Sequence, residues 1–463
     1  MQVPRVTDLP HLWPVQSRSI AFFRRSPLST AACCAFLIAA VWVAFNTRRW
    51  NHREILQWDT DGYYLYLPAT LIHHDPLHLA FLDSVPRGSF PTDYRFGQGA
   101  LFIKNTGRYS NKYTMGVALF ELPFFLAAHA YCSVFAPAGA DGYSPPYHLA
   151  VAMASAFWPW LGLLVLLRFL RRYVSDGPAA IALLTLGLGT NLFFYSSFAG
   201  GMAHPFLFFL CSLLIERTDH WYRSPSVRAA CSIGLCIGLA MLTRPTCVLF
   251  AIVPLCWRIG PGGLSLLHTR RSSALAAILV ALACMVPQSL YWKITTGHSI
   301  FYSYGDEIFD FRHPHVIDGL FSFRKGWFVY TPLALIAMMA GIRLWRNEHL
   351  RSYALMLACF FLPFLYITFS WDPWWYGGGF GSRPMIDTLP LLALPLALLV
   401  RDASTRNALV KTALAIALTG CIVLNLFQQW QYQRGIIDCC GMTMARWWQV
   451  FAEPTTIGLP AFP

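Results

Sequence analysis

Eleven apolar runs recur along this 463-residue chain, over residues 28–45, 147–170, 178–198, 202–215, 227–243, 245–257, 272–292, 327–345, 352–369, 384–400 and 409–427. At about 20 residues per membrane-spanning helix, eleven spans would take roughly 220 residues and leave about half of the chain for loops and tails. Hydrophobic residues make up 56% of the chain and charged ones only 12%, well off the balance of a soluble domain. A soluble enzyme held by a single anchor is excluded, and the lipid bilayer becomes the principal partner. The formal net charge of +13, from 35 Lys and Arg against 22 Asp and Glu, does not point to nucleic acid. The basic residues come in small groups between apolar runs and read as topology signals. Of the thirteen cysteines, only Cys439 and Cys440 sit in a polar tail, and the rest lie in or beside apolar segments. No disulfide scaffold or CxxC zinc site follows.

The first run follows Arg18, Arg24 and Arg25 and ends in AFNTRRW without a small-residue cleavage site, as in a retained signal anchor with its N-terminus in the cytoplasm. A further stretch, 115–136, is long enough to span but is interrupted by Glu121, Pro123 and His129. Charge decides between its two placements. If it does not cross, Arg168, Arg171, Arg172, Arg217, Arg223, Arg228, Arg258, Arg270, Arg271, Arg343, Arg346, Arg351, Arg401, Arg406 and Lys411 all lie inside. If it does cross, they move outside, which inverts the usual bias. The stretch is therefore expected to lie at the outer membrane surface. The organisation that follows is a cytoplasmic segment over 1–27, a transmembrane domain over 28–427 with a large first outer loop over 46–146, and an outer tail over 428–463. The outer face then receives WDTDGYYLYLPA (58–69), NKYTMG (111–116), SYGDEIFDFRHP (303–314), FRKG (323–326) and WDPWWYGGGFGSRP (371–384). These are the chain's densest mixtures of acid, base, glycine and aromatic residues, so the chemistry is expected there.

A long first outer loop that opens with acids just after the first span, followed by many helices with short cytoplasmic turns, resembles the GT-C superfamily of integral-membrane glycosyltransferases. The resemblance runs from Asp59 to about Pro390 and is strongest to the bacterial branch of protein mannosyltransferases and aminoarabinose transferases. It is carried by DTDGYYLYLPA, by KYTMG with the apolar stretch and Pro123 after it, by GTNLFFYSSF with GGMAHPF, by GLAMLTRP and by GGGFGSRP. It implies an all-α polytopic fold of the GT-C type, with about eleven transmembrane helices and juxtamembrane helices in a large first periplasmic loop. It also implies a bacterial inner-membrane enzyme whose periplasmic site moves a sugar, with inversion, from a polyprenyl-phosphate-linked donor to a lipid, glycan or protein acceptor. Where many relatives carry a second acid after the third span, this chain has His204 in GGMAHPF, so dependence on a divalent metal stays open.

Such a transfer needs a base for the acceptor's proton and cations for the departing phosphate. Asp59 and Asp61 lie just beyond the first span, and the resemblance makes one of them the base, with Asp61 narrowly ahead; the plain alternative is an N-cap for a helix beginning near Gly62. For the phosphate, Arg383 leads, because neighbouring glycines permit close backbone approach and a guanidinium offers paired donors; otherwise it is an arginine snorkelling from the next span. Arg244 lies between two runs with little loop to solvate it, and an arginine at such depth usually has a partner. Lys112 and Tyr113 match the lysine-plus-small-residue step at which relatives meet the donor phosphate, although Tyr113 is not small. His204 joins the same substrate-binding set. Asp306, Glu307, Asp310, His313 and His315 offer metal-ligand chemistry, but their spacing fits no tight zinc pattern. Trp371, Trp374, Trp375 and Tyr376 suit an interfacial aromatic belt or a sugar-stacking surface. No role falls to His73, His74 or His78. Two other classes compete. A transporter or flippase would show internal repeats, and no two-half symmetry is visible; an O-antigen-type ligase would carry its large loop late, whereas the longest outer loop here is the first.

Overall fold

The computed structural model describes residues 19–83, 99–259, 266, 268–305 and 307–455. Backbone polar groups inside a bilayer must be satisfied within the segment itself, and the apolar runs accordingly fold as helices. The principal ones are α1 (Pro27–Thr47), α2 (Asp59–Tyr64), α3 (Gly116–Phe135), α4 (Pro145–Leu170), α5 (Asp176–Leu188), α6 (Ala203–Arg223), α7 (Val227–Thr243), α8 (Arg271–Thr296), α9 (Pro332–Arg343), α10 (Arg351–Phe369), α11 (Leu389–Ser404) and α12 (Ala408–Gln433). Among the described residues, seven helices are long and apolar enough to cross a membrane: α1, α3, α4, α8, α10, α12, and α11 with the 3-10 turn before it. The chain is an all-α polytopic membrane protein.

Several of the eleven runs are shorter or broken as helices, for identifiable reasons. Run 178–198 is split between α5 and a single turn over Leu192–Ser197. Run 245–257 begins as a 3-10 helix, Pro245–Ala251, and run 327–345 breaks at Thr331 before Pro332, where the missing proline N–H suits a helix start. Helix α6 is 21 residues long but carries Glu216, Arg217 and Asp219 near its end. Helices α7 and α8 touch through Gly234 and Gly238, a small-residue pair one turn apart; a Cβ at Gly238 would lie 2.8 Å from the Ala281 carbonyl oxygen.

One end of the bundle is basic and tied by ion pairs. Arg172 bonds both Glu216 and Asp219 at 2.5 Å, and Arg223 reaches Asp219 at 2.9 Å. At the same end Ser29, in the first turn of α1, donates to Asp176, the first residue of α5, at 2.6 Å. Helix α3 behaves unlike its apolar neighbours. It starts where Met115 N donates to Gln288 and Thr114 bonds the Thr243 carbonyl, and it ends with Cys132 against Ser144, the N-cap of α4. Both of its ends lie at the end of the bundle opposite the ion pairs, although its length and composition would permit a crossing.

The first outer loop adds a feature that the all-α expectation lacked. Strands β1 (Ala100–Ile103) and β2 (Arg108–Asn111) form a small antiparallel hairpin, with Ala100 opposite Asn111. Gly107, at φ +66°, supplies the left-handed residue of its turn. Beyond the hairpin, Lys112 N donates to the Gly99 carbonyl at 2.6 Å, which fixes the direction in which Lys112 and Tyr113 leave the loop.

Candidate active site

Helix α2 begins immediately at Asp59. Thr60 secures this start: its hydroxyl accepts from Gln57 N at 2.9 Å and donates to the Ile55 carbonyl at 2.6 Å. Successive helical residues are rotated by about 100°, so positions two apart face nearly opposite ways. Asp59 therefore looks into a cavity of about 530 Å³, and Asp61 is not among the residues lining it. Of the two acids, Asp59 is the one that lines the cavity. The sequence places both in the right loop, but only helical phase distinguishes them.

Asp59 is held on both oxygens. Arg383 Nη2 donates to Oδ2 at 2.8 Å and the Tyr113 hydroxyl donates to Oδ1 at 2.7 Å. Burial pushes this carboxyl up, but the Arg383 guanidinium and the Tyr113 hydroxyl outweigh burial and hold it below the usual carboxylate range. Burial, with the Asp59 charge beside it, pushes the Tyr113 phenol well up, so it remains a hydrogen-bond donor. Close approach of Tyr113 depends on Gly62, where a Cβ would lie 2.5 Å from the ring carbon Cε2.

The other sequence candidates converge on the same space. Lys112, Tyr113, His204, Arg244 and Arg383 all line the cavity with Asp59. Lys112 Nζ pairs with Glu307 at 2.6 Å and sits 4.9 Å from the centre of the Tyr304 ring. Arg244, just past the end of α7, lies 3.9 Å from Asp387 and over the face of Tyr376. His204, in the first turn of α6, bonds Asp387 through Nδ1 at 2.8 Å. Trp371 and Tyr376 also line the cavity, whereas Trp375 stacks under the Arg324 guanidinium at 3.4 Å.

The loop that delivers Arg383 is fastened from behind. Gly379 N donates to the Tyr432 hydroxyl at 2.9 Å, Asn191 donates to the Ser382 carbonyl at 3.1 Å, and Lys325 Nζ donates to the Gly379 carbonyl. Gly379 and Gly381 adopt φ +130° and +60°, values that favour glycine. Lys325 is buried, and desolvation together with the Arg383 charge pulls its amine down to about 7.

Of the acid and histidine string at 303–315, Glu307 lines the cavity, whereas its histidines pair outside it. Asp310 pairs with His313, and His315 with Asp318, each at 2.9 Å and exposed. Asp306 lies outside the described residues. Among the described residues no three His, Cys, Asp or Glu side chains converge as metal ligands.

No protein-family model and no curated protein matches the sequence. The structure is similar to that of the apo oligosaccharyltransferase of Archaeoglobus fulgidus, with a TM-score of 0.54 and 11% identical residues, over 94% of this chain and 59% of that one. The fold is of the GT-C type. At 11% identity the likeness is one of architecture, and this chain spans about 59% of the length of the enzyme it matches. A carboxylate behind the cavity wall was not singled out in the sequence. Asp387 is buried and joins His204 to Arg244. Its signal was available, since a carboxylate four residues after Arg383 at the head of an apolar run is the kind of intramembrane charge that needs a partner.

Proposed function

We propose that this protein is a membrane glycosyltransferase, one that moves a sugar from a polyprenyl-phosphate-linked donor to a lipid, glycan or protein acceptor on the periplasmic side of a bacterial inner membrane. The observation that carries this reading is the Asp59 carboxylate, bonded by Arg383 and Tyr113 in a cavity that also holds Arg244 and Lys112. In the proposed step, the acceptor oxygen bonds the anomeric carbon as the bond from that carbon to the phosphate oxygen breaks. Asp59 takes the acceptor's proton, and the polyprenyl phosphate leaves with the electron pair, its charge met by Arg383 and Arg244. Attack opposite the leaving group inverts the anomeric carbon.

The Asp59–Arg383 bond gives this reading an internal logic. A phosphate that claims Arg383 removes the chief influence holding the Asp59 carboxyl down, leaving burial to raise its proton affinity. Donor binding would thus turn a weak base into a stronger one where the acceptor's proton must go.

The test uses the purified full chain in proteoliposomes with a radiolabelled polyprenyl-phosphate sugar. Release or transfer of label that disappears in Asp59→Asn supports the reading. Gradient-driven uptake that survives Asp59→Asn would replace it with a transporter.

A further inference from the structure

Asp387 is 1% exposed and His204 3% exposed, and they lie 183 residues apart in sequence, yet His204 Nδ1 stands 2.8 Å from Asp387 Oδ1. The other carboxylate oxygen of Asp387 faces Arg244 at 3.9 Å. A carboxylate facing a guanidinium is an acceptor, so the proton shared with His204 belongs on Nδ1. The neutral ring is also the form that fits a cavity already lined by the guanidiniums of Arg244 and Arg383. Nε2 is then left with a lone pair. His204 lines the cavity, and among the described residues its hydrogen bond is the one made by Nδ1.

A lone pair cannot bond a phosphate oxygen, which is itself an acceptor; it can bond an O–H or N–H. The three cations of the cavity suit the phosphate, and Asp59 is committed to Arg383 and Tyr113. An accepting nitrogen beside the arginines therefore faces the group attached to that phosphate. We propose that His204 is a specificity-determining residue, one that accepts a hydrogen bond from a hydroxyl of the transferred sugar, and that Asp387 is the positioning residue fixing its tautomer. The proposal rests on the glycosyltransferase reading and assigns His204 a role separate from that of the phosphate-binding arginines.

The experiment compares polyprenyl-phosphate-linked glucose, mannose and galactose with the full chain in proteoliposomes, because the latter two differ from glucose in the orientation of one hydroxyl each. A buried acceptor left without its donor weakens the disfavoured transition state about ten- to a hundredfold. Wild-type protein is expected to discriminate among the three in kcat/KM to that extent. His204→Phe, which keeps a ring but removes the acceptor, should bring the ratio to within about threefold, by lowering kcat/KM for the preferred donor and raising it for the poorest, whose unmet acceptor is gone. His204→Gln, with an amide oxygen available, should restore part of the preference. Asp387→Asn should erode it by allowing the proton to move to Nε2. Equal slowing of all three donors in a folded His204→Phe protein, or a wild type indifferent among them, overturns the assignment to His204 alone. Inertness of the wild type toward all three refutes the glycosyltransferase reading for hexose donors, and the assignment to His204 with it.

Discussion

If Asp59 and a donor phosphate compete for Arg383, removing the carboxylate must do two opposite things. Asp59→Asn deletes the proposed base, which is expected to lower kcat by about 10²- to 10⁴-fold. It also releases the guanidinium from a 2.8 Å bond between side chains that are 17% and 20% exposed. A hydrogen bond to a charged group contributes about 1.5–3 kcal/mol net, and one-fifth exposure puts this pair toward the lower part of that range. At 1.4 kcal/mol per tenfold, the variant should bind a short-chain polyprenyl phosphate about tenfold more tightly than wild type. The assay is titration of detergent-solubilised protein, read by intrinsic tryptophan fluorescence and repeated at two salt concentrations. The same pair makes a pH prediction. Because the folded carboxyl sits below its unfolded value, its contribution to stability is fully present above about pH 4 and is lost as pH falls through the depressed value. The stability difference between wild type and Asp59→Asn should therefore shrink in acid. Unchanged or weaker phosphate binding by the variant would refute the competition, and retained turnover would refute Asp59 as the base.

Asp61→Asn, on the opposite side of α2 from the cavity, should leave kcat within about threefold of wild type in the transfer assay. Tyr113→Phe removes one of the two donors that hold Asp59 down, and kcat should change by less than about tenfold while donor binding is preserved. Lys325 is protonated in the unfolded chain but neutral in the folded one between about pH 7 and 10, so folding stability attributable to it rises with pH across that window. Lys325→Met should accordingly raise the melting temperature most at pH 7 and below and progressively less toward pH 10, less about 1 kcal/mol for the lost bond to Gly379. Gly234→Ala would drive a methyl into the Ala277 carbonyl on α8, costing about 1–3 kcal/mol in thermal unfolding.

Membrane character was legible because composition alone settles which solvent the chain prefers. Asp59, Lys112, Tyr113, His204, Arg244 and Arg383 stand out in the sequence as polar residues in apolar or glycine-rich surroundings, and they meet in one cavity. What escaped depended on geometry finer than hydropathy. The hairpin at 100–111 is too short to show periodicity. The breaks at Thr331 and after Leu188 lie within unbroken apolar text, where composition cannot tell a helix from its interruption.

The sequence by itself determined that this chain lives in a bilayer, which loops concentrate its acids, bases, glycines and aromatics, and which residue types are present there, because each of these follows from local composition and the cost of placing charge in hydrocarbon. Only the tertiary structure decided that Asp59 rather than Asp61 faces the cavity, that Arg383 reaches back across more than three hundred residues to hold it, and that Asp387 joins His204 to Arg244. Those outcomes depend on helical phase and on which helix ends pack together, and a contact between distant segments has no local signature for a sequence to display.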